Sequence, residues 1–436
     1  MPTITQTSLL DKLPVEELNA SLQTFLEPVA SLLPDVRHAA VLDLLVRGVV
    51  TSQSPIVTQI ARGASHWDDT IWPTCQRAYR FLGNKRFSYR TLRKGLYRRA
   101  QQVVAADPAA YVVIAVDPVN FEKPYAEALE GVSTVYKATP PALNGEKRLT
   151  RGYPAITAVA VNLDQPVVSY AQWFSYEKNF LSQNWEVYRA FRMSRAVFAG
   201  KKRRFVMDAG GDDEKNFVQL QSWGEEFVIR AFHNRRVDIY NERLHRWESE
   251  LLKDLVTSVP FAFTQTVVFT HAREQRHATM RMGWFQVRLP GSEMLLWVLV
   301  AHDVERDHDL ILLTNVALTS EAVVKQVYED WRLRGRIEHG YRFDQEAGLD
   351  VEDLRVETLE RMRRLFMVVL LSAQFVCFIA QTWPGPTLRW LRKLGGKLGL
   401  KSDLDGLYVL LRGISAVWQT VSTWRFLATH PFPRGI

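Results

Sequence analysis

Two aspartates stand where strands hand a side chain to a site. The run YVVIAVD ends on Asp117, and RRFVMD ends on Asp208 just before Ala209-Gly210-Gly211. Short apolar, β-branched runs of this kind read as strands, the first of them buried on both faces. Carboxylates at their ends are hard oxygen donors suited to divalent metal ions; the other reading is that each aspartate only turns its strand. A third carboxylate, Glu338, lies in QVYEDWRLRGRIEHGYRFDQEAGLD. At helical rotation, Trp331, Arg334, Glu338 and Gln345 fall within roughly a 60° arc of one helix face. A carboxylate with an arginine one turn before it can coordinate metal and hold phosphate together. The plain alternative is a surface i,i+4 ion pair worth roughly 0.3–0.5 kcal/mol. Asp212, Asp213 and Glu346 rank lower, because Asp208 directly ends its strand and Glu338 has an arginine four residues before it. His302, His308 and His339 show no ligand spacing, and without a Cys/His cluster structural zinc is disfavoured.

The elements that must position these residues fall into regions. Residues 1–105 read as helical: Ser54-Pro55 is a plausible helix start, and helices over Ile56–Arg62 and about Ile71–Leu82 give a helix-turn-helix outline. In residues 106–232 strands alternate with helix: YVVIAVD stopped by Pro118, a TAVAVN/VVSYAQWFSY hairpin pair, a helix over Gln183–Phe198, RRFVMD, a further helix and FVIRAF. Residues 233–318 are strand-rich, and from Thr319 the chain returns to helix. The fold class expected is α/β.

The 436 residues carry net charge +8, with 47% hydrophobic and 23% charged residues, which excludes a disordered chain or a disulfide-stapled miniprotein. Residues 36–105 hold twelve Lys or Arg against three acids, a local excess of nine. Within it, KRFSYRTLRKGLYRRA has seven basic residues and no acid, interleaved with aromatics. A focused basic segment suggests a polyanion, nucleic acid first, against the alternative of a solvated basic face on a helical bundle. A second basic stretch, TLRWLRKLGGKLGLK, lies near the C-terminus. Cys75 and Cys377 form no disulfide framework, no signal peptide is read, and the uncharged run after Leu365 is too short for a span; a cytoplasmic protein with no membrane partner is expected.

Asp at the end of a first strand, Asp at the end of a fourth and Glu on a later helix resemble the DDE transposases with a ribonuclease-H-like core. The bacterial insertion-sequence group with a β-rich insertion before the Glu is the most similar. Its signature runs Tyr, two residues, Arg, three residues, Glu, six residues, Lys; Trp331, Arg334, Glu338 and Gln345 occupy those places. Arg and Glu match, whereas Trp331 lacks the tyrosine hydroxyl and Gln345 the lysine charge, for which Arg342 or Arg336 can compensate. AVDP, Arg151–Tyr153, Phe227–Arg230 and Leu312–Asn315 are also family-like, and the similarity covers about residues 40–380.

The resemblance implies a ribonuclease-H-like mixed sheet interrupted by a β-strand insertion. It divides the chain into a DNA-binding part (1–105), the core (106–232), the insertion (233–318), the core helix with Glu338 (319–380) and a C-terminal helical region (381–436). It implies cleavage at transposon ends and strand transfer into target DNA, with two Mg²⁺ (or Mn²⁺) held by Asp117, Asp208 and Glu338. Asp117 would be the shared ligand, water and then a DNA 3′-hydroxyl the nucleophiles. Arg334 would position phosphate; Trp331, Gln345, Arg342, Arg230 and, in the N-terminal segment, Arg90, Arg93, Lys94, Arg98 and Arg99 would contact DNA. Trp284 or Trp297 of the insertion can stack on a displaced base, with a core role as the alternative. The partner is double-stranded DNA, both terminal inverted repeats and target, bound by a homodimer in the bacterial cytoplasm at the nucleoid. Two further readings remain: a transposon-derived DNA-binding protein without catalysis, and a metal-dependent nuclease that cuts without joining.

Overall fold

The computed structural model describes residues 13–64, 71–137, 149–271, 274–337, 349–396 and 406–429. In chain order, five helices come first: α1 (Val15–Ala30), α2 (Val36–Ser52), α3 (Val57–Ala64), α4 (Ile71–Leu82) and α5 (Tyr89–Ala106). Then follow β1 (Tyr111–Glu122), β2 (Ser133–Tyr136), β3 (Leu149–Ala160), β4 (Val167–Trp173), α6 (Gln183–Val197), β5 (Lys202–Met207), α7 (Glu214–Ser222) and β6 (Glu226–Arg230). The next strands are β7 (Arg236–Asn241), β8 (Arg246–Leu251), β9 (Phe263–His271), β10 (Glu274–Arg288), β11 (Leu295–Asp303) and β12 (His308–Thr314), with the short α8 (Leu252–Val256) after β8. The chain ends in α9 (Glu321–Arg332), α10 (Leu359–Thr382), α11 (Gly385–Leu394) and α12 (Leu407–Thr429).

All twelve strands among the described residues join one mixed sheet. β3 is antiparallel to both β1 and β4, while β5 and β6 run parallel to β1. The order β4-β3-β1-β5-β6 is consistent with the core that the family resemblance implies. Its composition follows from burial on both faces: Val112, Ile114 and Val116 pack with α6 and α7, while Val113 and Ala115 belong to the cluster that includes α2 and α10. A strand covered on both sides reads as unbroken apolar sequence.

Three expectations change. Pro118 does not stop β1, which runs on to Glu122. Pairing with β5 ends at Ala115, so Pro118 has β3 as its one partner strand and its missing N–H breaks no ladder on the β5 side. The strand-rich stretch after residue 232 is not separate from the core, because β12 pairs with β6 and carries the sheet on through β11 and β10. α9 ends at Arg332 in a turn over 333–334, where Arg334 donates to the Trp331 carbonyl at 3.0 Å, and helix resumes at 335–337, so Trp331 and Arg334 do not share one unbroken helix, while Glu338 and Gln345 of the expected arc lie outside the described residues. Helix α3 begins at Val57, with Ser54 Oγ accepting the Ile56 N–H at 3.2 Å, while α4 has its expected bounds. The 24-residue α10 is long and apolar enough to cross a membrane, but is 72% buried inside the protein across its most apolar stretch. Cys75 and Cys377 are buried and form no disulfide.

Candidate active site

The sheet register brings the two aspartates together. Ala115 pairs with Val206 and Met207 with Ile229, a register that carries Asp117 toward Asp208, and Asp208 toward Arg230, just past the point where the parallel pairing ends. Asp208 follows the end of β5, whereas Asp117 does not end β1 as expected but lies within it, opposite Thr157 of β3. Past Asp208 the chain turns through Ala209–Gly211, where a Cβ on Gly211 would lie 2.7 Å from the Met207 side chain; glycine is needed there. Asp117 and Asp208 line one open cleft of about 340 Å³, whose walls include Asn120, Tyr136, Tyr176 and Gln183.

The Asp208 carboxylate is held by arginines without being sealed by them. Arg230 is 3.6 Å from Oδ1 and Arg334 is 4.0 Å from Oδ2, both longer than hydrogen bonds. Oδ1 is shielded from solvent and has no hydrogen-bond partner. A buried anionic oxygen without a donor is costly unless a cation satisfies it, so Asp208 fits a divalent metal, and Asp117 supplies a second hard oxygen donor. Among the described residues no group of three His, Cys, Asp or Glu side chains assembles as a metal cage. Glu338, Arg342 and Gln345 lie outside the described residues, as does His339.

Helix α9 is fastened beside this cleft by residues that the sequence motif did not reveal. Asp330 is 2% exposed, pairs with Arg204, and accepts the Tyr111 hydroxyl at 3.0 Å and the Gln326 amide at 2.9 Å. Burial holds its carboxyl above the ordinary range despite Arg204. The indole N–H of Trp331 donates to the Met207 carbonyl at 3.0 Å, one residue before Asp208, and Arg334 lies over the Trp331 ring at 5.6 Å. Trp331 thus keeps an anchoring role that needs no hydroxyl. Arg336 donates to the carbonyls of Val161, Leu163 and Asp164 at 2.5, 2.5 and 2.7 Å, so it is engaged in the β3–β4 turn rather than replacing the signature lysine.

No family model matches the chain, and no curated protein matches it. Among solved structures it is similar to a piggyBac transposase in a synaptic complex with hairpin DNA, at 9% identity and a TM-score of 0.40. The match covers 84% of this chain and 66% of that one, so the chain spans about two thirds of that protein's length. The site therefore stands on its own residues.

The other motif residues separate into structural and exposed groups. Asp212 pairs with Arg235 and accepts the Phe232 N–H at 2.7 Å; Asp213 caps α7 and accepts from Asn184 at 2.8 Å. Asn315 of the LLTN stretch accepts the Phe227 N–H at 3.0 Å, locking β6. His302 meets Asp309 at 2.9 Å, and His308 packs against His233. Trp284 and Trp297 are partly buried against the core.

On α5, Arg90, Lys94 and Arg98 are exposed at four-residue spacing and form one basic face. Arg93 and Arg99 do not join it. Arg93 lies on the buried face with Leu92 and Leu96, hydrogen-bonded to Gln172 and 5.3 Å from the rings of Tyr89 and Tyr170. Arg99 packs on Phe378 at 4.5 Å, where burial lowers its pKa. The two helices of the expected helix-turn-helix outline are present as α3 and α4, with Trp72, Gln76, Arg77 and Arg80 exposed on α4, and the segment that joins them lies outside the described residues.

Proposed function

We propose that the chain is a DNA transposase that uses two Mg²⁺ ions, or Mn²⁺, to cut transposon ends and join them to target DNA. The observation that carries this reading is Asp117 and Asp208 lining one open cleft where the parallel pairing of β1 and β5 ends, with Arg230 and Arg334 beside Asp208. Asp117 and Asp208 would hold the metal, with Glu338 as the third carboxylate. Bound there, the ions would supply positive charge to the attacking and leaving oxygens of a phosphoryl transfer. The planar forks of Arg230 and Arg334 suit a backbone phosphate drawn into the cleft. Met207, Trp331 and the Asp330–Arg204 pair keep α9 seated so that Arg334 stays beside Asp208. Arg90, Lys94 and Arg98 would grip duplex phosphates while the exposed face of α4 reads bases in the terminal repeats. A homodimer across two DNA ends, acting at the bacterial nucleoid, completes this reading.

The test is Mg²⁺-dependent nicking and strand transfer on a labelled element-end duplex by the full chain and by Asp117→Ala, Asp208→Ala and Glu338→Ala. Each substitution is expected to abolish both products while DNA binding persists. Retained cleavage would defeat the assignment, and nicking without strand transfer in the unmodified chain would favour a nuclease.

A further inference from the structure

The C-terminal basic stretch has no part in the cleft or in the α3–α5 face. Helices α11 and α12 carry Arg389, Arg392, Lys393, Arg412 and Arg425 and contain no acidic residue. Their crossing is close: a Cβ on Gly413 would lie 2.0 Å from the Leu391 carbonyl oxygen, and one on Gly395 would lie 2.1 Å from that of Val409. Only glycine permits that approach, and it fixes the side chains of one helix relative to the other. Arg389 and Lys393 are one turn apart on α11, and both are exposed. Three residues further on, a Cβ at Gly396 would lie 3.4 Å from the guanidinium of Arg412, which projects from α12 and is itself exposed. Trp390 is 41% exposed and Tyr408 38% exposed on the same two helices.

We infer that this α11–α12 corner is a second duplex-DNA contact, separate from the α3–α5 face and reading backbone phosphates without regard to sequence. The inference rests on the DNA-processing reading above. Three exposed cations mounted on two helices packed backbone to backbone suit a regularly spaced polyanion. Leu410, Leu411, Ile414 and Val417 place the main apolar side of α12 in the core, while Trp390, Leu394, Tyr408 and Leu427 stay exposed. The choice of duplex DNA over an anionic membrane follows from the DNA-processing reading, and the vesicle arm below tests it.

The experiment measures binding of the full chain to a 40-bp random-sequence duplex across a salt series, beside R389Q/K393Q/R412Q, the conservative R389K/R412K and, on α5, R90Q/K94Q/R98Q. Each phosphate contact adds about 0.9 to the slope of log affinity against log salt. The C-terminal triple glutamine variant is expected to lower that slope by about two to three and to weaken binding roughly tenfold near physiological salt, with R389K/R412K unchanged. An unchanged slope for the C-terminal triple, with a lowered slope for the α5 variant, would overturn this inference and leave the DNA reading standing. Unchanged slopes for both would count against the DNA reading itself. A selective loss of binding to anionic phosphatidylglycerol vesicles, with the DNA slope unchanged, would assign the corner to a membrane.

Discussion

Two places on the same sheet bring aspartate and arginine together, and they differ in how completely the charges are used. At the starts of β1 and β5, Asp330 is buried and satisfied by Arg204, Tyr111 and Gln326. At the other end of β5, Asp208 faces Arg230 and Arg334 at 3.6 and 4.0 Å, with one oxygen lacking a hydrogen-bond donor and an open cleft beside it. The first is a fastener, because every charge has a close partner. The second keeps its charge for something else, and its arginines stand near the carboxylate without occupying it. A stabilising ion pair and a functional one are told apart by distance and satisfaction, not by residue type.

The contrast breaks most sharply under substitution. Asp208→Ala is expected to reduce Mg²⁺-dependent cleavage below detection while changing unfolding free energy by no more than about 0.5 kcal/mol, as for a partly exposed site; urea unfolding beside the cleavage assay checks both. Asp330→Ala should do the reverse. It takes away one of the two carboxylates on Arg204, which keeps Glu226 at 2.6 Å, and leaves the Tyr111 hydroxyl and Gln326 amide without that acceptor, an expected loss of about 1–3 kcal/mol in the same unfolding measurement. Equal destabilisation by the two would erase the distinction.

On α5 the same contrast recurs within one helix. Arg93→Gln removes a buried guanidinium from its aromatic cage and is expected to cost about 1–3 kcal/mol, with the salt slope of DNA binding unchanged. The exposed triple R90Q/K94Q/R98Q should lower that slope by about 2–3 and leave unfolding nearly unchanged. The smallest effect belongs to Trp331→Phe, which deletes one hydrogen bond to the Met207 carbonyl, at about 1 kcal/mol. Cleavage should fall more than stability, because that bond seats α9 beside Asp208.

Much of this geometry was legible because burial leaves a strong mark on composition. YVVIAVD and RRFVMD announce strands, and their terminal aspartates become neighbours once the strands pair in parallel. The helices around α3, α4 and α6 were readable from period and caps. What escaped was decided by tertiary pairing. β7 and β8, RVDIYN and RWESEL, are too polar to stand out as strands and gain their place from each other. The continuation of β1 through Pro118 depends on which neighbour is missing, and the junction of β6 with β12 joins residues more than eighty positions apart. Arg93 and Arg98 look alike in sequence; only the helix face separates a core guanidinium from a solvent-facing one. The Asp330–Arg204–Tyr111 network, spread over three elements, has no local signal at all.

The most direct test is whether the three carboxylates converge on one metal-binding site. Fe²⁺ bound in place of Mg²⁺ reduces added hydrogen peroxide to hydroxide and a hydroxyl radical, with ascorbate returning Fe³⁺ to Fe²⁺; the radicals cut the polypeptide close to the ion, and the fragments can be mapped in the full chain by mass spectrometry. The expected result is cutting near residues 117, 208 and 338, suppressed by excess Mg²⁺ and lost in Asp208→Ala. Cutting elsewhere, or at 117 and 208 without 338, would contradict a site built from all three.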